Sequence, residues 1–423
     1  MKVHNFPYYL RGNTISGTLQ IKYERYEAIS MKNFEFSVPT SVYFGAGEVN
    51  RIPELAPRLG KKAMLLAAKD TMRALGFLDK VEGLLKQAGI EVVVSDDVAP
   101  NPRDKDINRQ TEIFLKENCD FTVGLGGGSA MDSAKAVAFL AAQGGGNIRD
   151  YLAGGSNPEM EGVKDAFKTM AITTTAGTGS ETTPWWVITN TDDHEKPGTG
   201  NDSTIAEIAI VDPELMLTIP ASITKGTGID VLFHAMEAFI ANTATPFTDL
   251  FCKEAMKLVV ENLGTAIEDG QNLEARSNMA WANTIAGIAI GEGNSSTVGI
   301  HALGHSIGGQ TDAPHGMTMA SIGPAYMRKT WDADIERYAE VTRILGYAED
   351  GMSESELAEK SAEALVATLE KFDCRVSMSD LGVKEEMIEA MTDSVFKTMS
   401  GCLGCSLKTL SREDVVALYK ESL

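Results

Sequence analysis

The 423-residue chain has little of three things: cysteine, basic charge and long apolar runs. Its five cysteines, an odd and sparse set, argue against a disulfide framework and for a reducing compartment. No apolar run approaches the ~20 residues that span a bilayer, and residues 1–30 lack the order of a signal peptide. With 38 basic against 59 acidic residues, the net charge of −21 repels nucleic acid and anionic lipid. We therefore expect a cytoplasmic protein with no nucleic-acid or membrane partner.

Short apolar runs alternate with amphipathic stretches as far as residue 220, and this pattern predicts parallel βαβ units. The strand candidates are residues 63–67, 91–94, 121–125, 170–173 and 208–211. Beyond residue 220 the pattern is almost entirely helical. We predict an α/β domain with a parallel sheet over residues 31–220 and an all-α domain over residues 221–423. Residues 1–30 are expected to be a poorly packed extension or a misassigned start.

A glycine-rich segment, residues 126–135, follows the third strand candidate. Gly126, Gly127 and Gly128 let the backbone approach a ligand closely, and the start of the following helix offers unpaired N–H groups to an anion. Ser129 adds a hydroxyl group. The segment is a candidate pyrophosphate cradle without the usual dinucleotide spacing, and its alternative is an ordinary turn between a strand and a helix.

Residues 173–181, called the threonine loop below, follow the fourth strand candidate. This loop contains four threonines, one serine and two glycines in nine residues. Small hydroxyl side chains on a flexible backbone suit contacts to ribose, phosphate or the nicotinamide amide. The alternative is an N-cap cluster that opens a helix. Two such loops after parallel strands favour a dinucleotide ligand, which binds at the carboxyl ends of strands in open α/β sheets.

Four of the six histidines lie between residues 234 and 315. Asp230 and His234 are four residues apart in a helical stretch and share one face, and His301 and His305 repeat that spacing. His315 lies between a proline and a glycine, in a turn that can aim one side chain. Three imidazoles and one carboxylate suit Fe²⁺, Zn²⁺, Co²⁺ or Ni²⁺. With one negative ligand the complex stays net positive and lowers the pKa of a bound alcohol.

Together these segments resemble the iron-containing (group III) alcohol dehydrogenases, which have the dehydroquinate synthase-like fold. The match runs from about Asn33 to the C-terminus. Residues 126–135 are similar to the family's GGGSxxDxAK segment, and residues 174–181 are similar to its TTAGTGSE loop. Residues 228–237 and 301–316 resemble its two metal-binding segments. The resemblance implies hydride transfer between NAD(P) and a small alcohol, aldehyde or ketone.

The resemblance also implies roles for individual residues. Asp230, His234, His301 and His315 would bind the metal, expected to be Fe²⁺ with Zn²⁺ or another divalent ion as alternatives, and the spacing indicates the same set. His305 would lie beside the nicotinamide, where it relays the alcohol proton or only shapes the pocket. The expected cofactor contacts are Ala68, Lys69, Gly126, Gly127, Gly128, Ser129, Asp132, Thr174, Thr175 and Thr178. Family members are often dimers or larger, so we expect a homo-oligomer.

The choice between NAD and NADP depends on the end of the second strand. NAD-preferring relatives commonly have an Asp there, whose carboxylate repels the extra phosphate of NADP. The same place here is Ala68, followed by Lys69. We therefore expect use of both cofactors with a slight preference for NADP. A strand one or two residues longer would instead bring Asp70 into the position of that carboxylate.

The walls of the substrate pocket are harder to predict. Glu292 stands where relatives often have apolar residues, and Trp185 and Trp186 could narrow the opposite side. If Glu292 faces the site, small hydroxylated or cationic substrates should be favoured over carboxylates. The alternative is that Glu292 faces solvent and the tryptophans fill the core.

Two rival functions remain. One is a zinc enzyme similar to glycerol dehydrogenase or dehydroquinate synthase; a phosphorylated sugar acid needs a basic pocket, yet Lys225 stands nearly alone near the metal segments. The other is a non-catalytic metal or dinucleotide sensor. The complete set of metal ligands and cradle glycines argues against a protein that has lost its chemistry.

Overall fold

Six parallel strands form the central sheet of the computed structural model, which describes residues 33–193, 195–291 and 294–423. The strands of this sheet are β1 Ser41–Phe44, β2 Lys62–Ala68, β3 Glu91–Val98, β4 Phe121–Gly126, β5 Lys168–Thr173 and β8 Ile208–Val211. Their order is β1-β8-β5-β4-β2-β3. A two-stranded antiparallel hairpin, β6 Trp186–Val187 and β7 Gly198–Thr199, lies outside it. The predicted parallel sheet is confirmed; β1 of this sheet and the two short strands of the hairpin were not predicted. The predicted extension, residues 1–30, lies outside the described residues.

The central strands are buried on both faces. Along β2, Ala63 and Leu65 belong to one apolar core, while Met64 and Leu66 belong to the core on the opposite face. Helices cover both cores, which explains why these strands are continuous apolar runs rather than alternating ones. The loops that follow the strands leave from their carboxyl ends, which is the edge where ligands bind in open α/β sheets.

The helices fall into two groups along the chain. Those among the strands are α1 Ile52–Leu55, α2 Thr71–Ala74, α3 Phe77–Gln87, α4 Asp104–Lys116 and α5 Gly128–Ala142. Those after the last strand are α6 Ala221–Phe239, α7 Pro246–Glu268, α8 Leu273–Ala289, α9 Gly299–Thr311, α10 His315–Thr330, α11 Ile335–Leu345, α12 Glu354–Glu359, α13 Ser361–Lys371, α14 Ile388–Thr398, α15 Ser400–Gly404 and α16 Arg412–Ser422. Glu35–Leu423 form one compact unit, within which the boundary at residues 220 and 221 stays a prediction.

The threonine loop opens no helix, so the alternative of an N-cap cluster is wrong. The reason lies in Lys135, whose buried ammonium donates to the carbonyls of Ser180, Thr183 and Trp185 and holds the chain in an irregular path. The stretch from residue 353 to residue 372 contains two helices, α12 and α13, which are separated at Lys360.

Helix α6 lies at the centre of the helical part. Its residues from Gly228 to Phe239 are all buried, and α7, α8 and α10 pack around it. The start of α10 comes very close to α6, because a Cβ atom added at Gly316 would lie 1.9 Å from the carbonyl oxygen of Gly226. Glycine at position 316 thus allows the first residue of α10 to approach the buried face of α6. No helix within the described residues is long and apolar enough to cross a membrane.

Candidate metal and cofactor site

Three helices bring the predicted metal ligands together. Asp230 and His234 project from the buried centre of α6, His301 from α9, and His315 is the first residue of α10. One ligand atom from each of Asp230, His234 and His301 lies within 4.8 Å of the others. The two i, i+4 pairs thus come from different helices that meet at one point.

His315 lies next to this group, with its Nε2 close to the carboxylate of Asp230. Asp230 Oδ1 lies 3.6 Å from His315 Nε2 and 3.7 Å from His301 Nε2. Donor atoms ~2.1 Å from a tetrahedral metal ion are themselves ~3.4 Å apart, so these separations fit a shared ion better than direct hydrogen bonds. The chemistry of the donor set and its spacing both suit a divalent metal.

Two buried atoms at the centre of the group have no hydrogen-bond partner among the described residues: Asp230 Oδ1 and His301 Nε2. Leaving buried polar atoms unpaired is unfavourable, and the penalty is larger for a charged group. Burial would raise the pKa of Asp230, but His315 and His234 outweigh it and hold that pKa well below its usual range. Asp230 is therefore an ionised carboxylate aimed at a position that a cation would fill.

The rings of His301 and His234 are oriented by hydrogen-bond acceptors on the side away from the predicted metal position. His301 Nδ1 lies 2.5 Å from Glu237 Oε1, and His234 Nδ1 lies 3.2 Å from the carbonyl oxygen of Gly177. Burial lowers the pKa of His301, but Glu237 outweighs it and raises the value to about 10. Both acceptors favour a proton on Nδ1, and a bound metal ion would take the place of the Nε2 proton of His301, which gives the arrangement that metal-binding histidines use.

Glu237 had no assigned role in the sequence analysis, although it lies inside one of the segments that carry the resemblance. Its side chain is fully buried, and its second oxygen accepts hydrogen bonds from the backbone N–H groups of Val298 and His301. Glu237 therefore joins α6 to the first turn of α9 besides orienting the ring of His301. Its spacing from Asp230, close to two helical turns, places both carboxylates on one face of α6 and was the available signal.

His305 is oriented from the α/β part of the chain. Its Nδ1 lies 2.9 Å from the carbonyl oxygen of Lys196, and its ring centre lies 5.0 Å from that of His315. Burial, together with the charge of Lys196, lowers the pKa of His305 to about 3. His305 is thus a neutral imidazole at the edge of the predicted metal group.

Lys196 is a further residue that the sequence analysis missed. It lies between β6 and β7, and its ammonium donates to Asn101 Oδ1 at 2.8 Å. Desolvation lowers the pKa of Lys196 despite the nearby carboxylates of Asp132, Asp230 and Asp312. No spacing rule could have found it, because a lysine in a polar loop usually faces solvent. Lys225, the basic residue noted from the sequence, is paired with Asp373 instead.

The two candidate cofactor loops touch each other. A Cβ atom added at Gly128 would lie 2.6 Å from Thr178 Cγ2, and one added at Gly127 would lie 3.0 Å from Thr175 Oγ1. Both loops leave the carboxyl edge of the sheet, where Thr174 N donates to the carbonyl oxygen of Gly126 at 2.9 Å. Glycine at position 128 is therefore required for the close packing of these loops.

Exposure separates the predicted cofactor contacts into two sets. Gly127, Ser129, Thr175 and Thr178 are partly exposed, while Gly126, Gly128 and Thr174 are buried. Asp132 is buried as well, and its carboxylate accepts hydrogen bonds from Ser180 Oγ at 2.6 Å and Val187 N at 3.0 Å. The partly exposed set and the N–H groups at the start of α5 are the ones free to reach a ligand.

The end of β2 lies where the sequence analysis expected it. The strand ends at Ala68, whose Cβ would be 3.3 Å from a Cβ atom placed on Gly126, and Lys69 N donates to the carbonyl oxygen of Val98. Lys69 and Asp70 are exposed, and Asp70 has φ of 58° as the residue that begins the turn into α2. The strand does not extend to Asp70.

Of the three residues predicted to line the substrate pocket, the structure describes the two tryptophans. Glu292 lies outside the described residues. Trp186 is fully buried against Phe139, which is the core alternative, whereas Trp185 is partly buried and donates from Nε1 to the carbonyl oxygen of Ile290. Trp185 also lines an open cavity of about 410 Å³.

Two family descriptions match the chain. Residues 39–213 match the iron-containing alcohol dehydrogenases, and residues 224–423 match the C-terminal part of the Fe-containing alcohol dehydrogenase family. The chain belongs to the iron-containing alcohol dehydrogenase family.

Its relatives cover almost its whole length. The chain is 34% identical over 388 residues to an NAD-dependent methanol dehydrogenase of Bacillus methanolicus, covering 92% of this chain and 99% of that protein. It is 36% identical over 372 residues to a 1,3-propanediol dehydrogenase of Citrobacter freundii, with coverages of 87% and 94%. A solved archaeal halo-thermophilic alcohol dehydrogenase from a Red Sea brine pool superimposes with a TM-score of 0.89 at 34% identity, covering 93% of this chain and 99% of that one.

These matches establish the class of reaction. The chain is an alcohol dehydrogenase, an oxidoreductase that transfers hydride between a nicotinamide cofactor and a CH–OH or carbonyl group, and it uses a metal. The expectation of an iron-type alcohol dehydrogenase is confirmed at this level, in preference to the two rival functions.

The histidines should separate into two groups on substitution. We expect His301→Ala and His315→Ala to lose both metal and activity, because three remaining ligands hold a hydrated divalent ion far less tightly. His305→Ala should keep its metal and lose rate. Metal content per chain, measured by elemental analysis after gel filtration, is the deciding quantity. A metal-free His305→Ala protein, or a fully active His315→Ala protein, would contradict this division.

Glu237 should affect metal affinity without being a ligand. In Glu237→Gln the ring of His301 loses its charged acceptor, so we expect the metal dissociation constant to rise ~10- to 100-fold while the stoichiometry stays at one ion. A chelator competition titration measures this change. Unchanged affinity would mean that the contact with His301 has no influence on the metal.

Proposed function

We propose that this enzyme interconverts short neutral alcohols and aldehydes, with Fe²⁺ held by Asp230, His234, His301 and His315. The observation that carries the proposal is a pair of buried atoms with no hydrogen-bond partner in the described part of the chain, Asp230 Oδ1 and His301 Nε2, which lie 3.7 Å apart. Three imidazoles and one carboxylate also suit Zn²⁺, so substitution by that ion is expected to be tolerated to some extent. When bound, the metal polarises the oxygen of the alcohol or carbonyl and lowers the barrier to hydride transfer.

The cofactor would occupy the carboxyl edge of the sheet. Its pyrophosphate would lie against the start of α5, with N–H groups from Gly128 onward and the hydroxyl of Ser129 as donors. Thr175 and Thr178, the partly exposed threonines, would supply hydroxyl contacts from the opposite loop. When bound, the nicotinamide accepts or donates the hydride at C4. Both loops lie at the carboxyl edge of the sheet, and Gly177 of the threonine loop is also the hydrogen-bond acceptor of His234.

His305 is the residue proposed beside the substrate, and its state limits what it does. Its Nδ1–H donates to Lys196 O, so Nε2 is left as an acceptor. With a pKa of about 3, the ring is a poor carrier of a proton near neutral pH. Of the two expected roles, shaping the pocket and accepting a hydrogen bond from the alcohol is therefore favoured over storing the alcohol proton.

The charges around the site favour neutral substrates. Lys196 contributes one ammonium, but Asp132, Asp230 and Asp312 surround it with three carboxylates. With one bound dication these four groups sum to zero net charge, so no net positive charge would compensate the desolvation of a substrate carboxylate, and uncharged aldehydes should bind better.

A panel of carbonyl compounds tests this function. The protein is reconstituted anaerobically with Fe²⁺ or Zn²⁺ and assayed with propanal, glycolaldehyde and succinic semialdehyde, using NADPH and NADH. We expect higher kcat/KM for propanal and glycolaldehyde than for succinic semialdehyde, with His315→Ala as the inactive control. Preference for succinic semialdehyde would contradict the charge argument, and no turnover at full metal occupancy would contradict the function.

Both cofactors should be accepted. β2 does not end in a carboxylate, and the carboxylate of Asp96 is paired with Arg73. Little negative charge therefore opposes a 2′-phosphate next to Lys69. The methanol dehydrogenase relative is described as NAD-dependent, and only a slight preference for NADP is proposed here. We expect kcat/KM for NADPH to be at least equal to that for NADH, and Ala68→Asp to shift the ratio towards NADH. A strong preference for NADH that is lost in Asp70→Ala would contradict this assignment.

A further inference from the structure

A buried asparagine from the helical part holds the threonine loop. Asn283, on α8, accepts hydrogen bonds at its Oδ1 from Gly177 N at 2.7 Å and from Gly179 N at 2.9 Å. All of these atoms are buried, so water does not compete for the two N–H groups. One side chain therefore satisfies two backbone donors in the middle of the loop.

The orientation of that amide is itself fixed. Asn283 Nδ2 donates to Glu181 Oε1 at 2.8 Å, and the neighbouring Thr284 hydroxyl donates to the same oxygen at 3.0 Å. The reversed amide would face the carboxyl group with an oxygen and the two N–H groups with a nitrogen, which breaks all three of its hydrogen bonds. Asn283 therefore has one orientation, with its oxygen towards the loop.

The same glycine that Asn283 binds also contacts the predicted metal group. The N–H of Gly177 donates to Asn283, and its carbonyl oxygen accepts from His234 Nδ1 at 3.2 Å. A continuous series of hydrogen bonds thus runs from Glu181 through Asn283 and Gly177 to His234. Any shift of Gly177 changes the direction of the acceptor that orients the His234 ring.

We propose that Asn283 is a positioning residue that couples cofactor binding to metal binding through Gly177 and His234. The proposal rests on the proposed function, because it takes Thr175 and Thr178 as cofactor contacts and His234 as a metal ligand. Those threonines flank Gly177 in the chain, so a cofactor that orders the loop also orders the carbonyl behind His234. By reciprocity, a metal that fixes His234 tightens the cofactor by the same factor.

The test measures metal affinity with and without cofactor. Co²⁺ is titrated into metal-free protein, followed by its visible absorption, in the absence and in the presence of saturating NADPH. We expect NADPH to tighten Co²⁺ binding at least fivefold in the wild type. In Asn283→Ala the Co²⁺ affinity should fall about tenfold and the ratio with and without NADPH should approach one.

A matched control lies on the same helix. Asn278 is partly buried and donates from Nδ2 to Asn262 Oδ1 at 2.8 Å, away from the threonine loop. Asn278→Ala removes a side chain of the same size and type from α8 and should leave the NADPH-dependent ratio as in the wild type. Loss of the ratio in both variants would assign the effect to helix packing and overturn the proposal.

A second design keeps the proposal falsifiable if Asn283→Ala does not fold. In Asn283→Asp two carboxyl groups face each other, whereas adding Glu181→Gln reverses the direction of that hydrogen bond and keeps the acceptor for Gly177 and Gly179. We expect the double variant to restore most of the NADPH-dependent ratio that Asn283→Asp loses. Failure to restore it in a folded protein that binds both ligands would overturn the proposal.

Two outcomes separate this inference from the function on which it rests. If the wild type binds Co²⁺ and NADPH with no mutual effect and still reduces propanal, the coupling is wrong and the function stands. If His234→Ala binds Co²⁺ as tightly as the wild type, the metal assignment fails, and the inference fails with it.

Discussion

The carboxylate of Asp230 is the constraint around which the helical part is organised. An ionised group in the middle of a buried helix is strongly unfavourable unless opposite charge compensates it. The imidazoles that face it come from three directions, because His234 shares its helix, His301 lies on α9 and His315 begins α10, and a bound cation would supply the compensating charge. The approach of α10 requires glycine at position 316, so backbone packing and charge compensation depend on each other.

A second buried carboxylate, Glu237, extends this organisation. It accepts from two backbone N–H groups in the first turn of α9 and from the ring of His301, so it fixes both the position of a helix and the direction of a side chain. Negative charge is favourable at a helix N-terminus, where unpaired N–H groups concentrate. The two carboxylates on one face of α6 therefore have different contacts: Asp230 faces the predicted metal position, and Glu237 binds the start of the helix that carries His301, a second predicted ligand.

Periodicity predicted the parts of this arrangement that lie within one helix. The spacing of Asp230 and His234 indicated a shared face before any fold was known, and the apolar runs indicated five of the six strands of the sheet. The start of α6 was not predictable in the same way, because Gly226 and Gly228 have low helix propensity, and Gly228 packs closely against Leu263 of α7 and Met279 of α8. The irregular path of the threonine loop likewise depends on the buried ammonium of Lys135, a contact between distant segments.

The contacts least visible in a sequence are those made by backbone carbonyl oxygens. His234 is oriented by Gly177 O and His305 by Lys196 O, and any residue in either place would offer the same atom. The residue type at these two positions therefore does not reveal the acceptor. Only the side chains that hold the backbone in place depend on residue type. For Gly177 this side chain is Asn283, which accepts from the Gly177 N–H group. For Lys196 it is Asn101, which accepts from the Lys196 ammonium. Two asparagines thus bind the residues whose carbonyl oxygens face His234 and His305, and these contacts between distant segments are found only once the chain is folded.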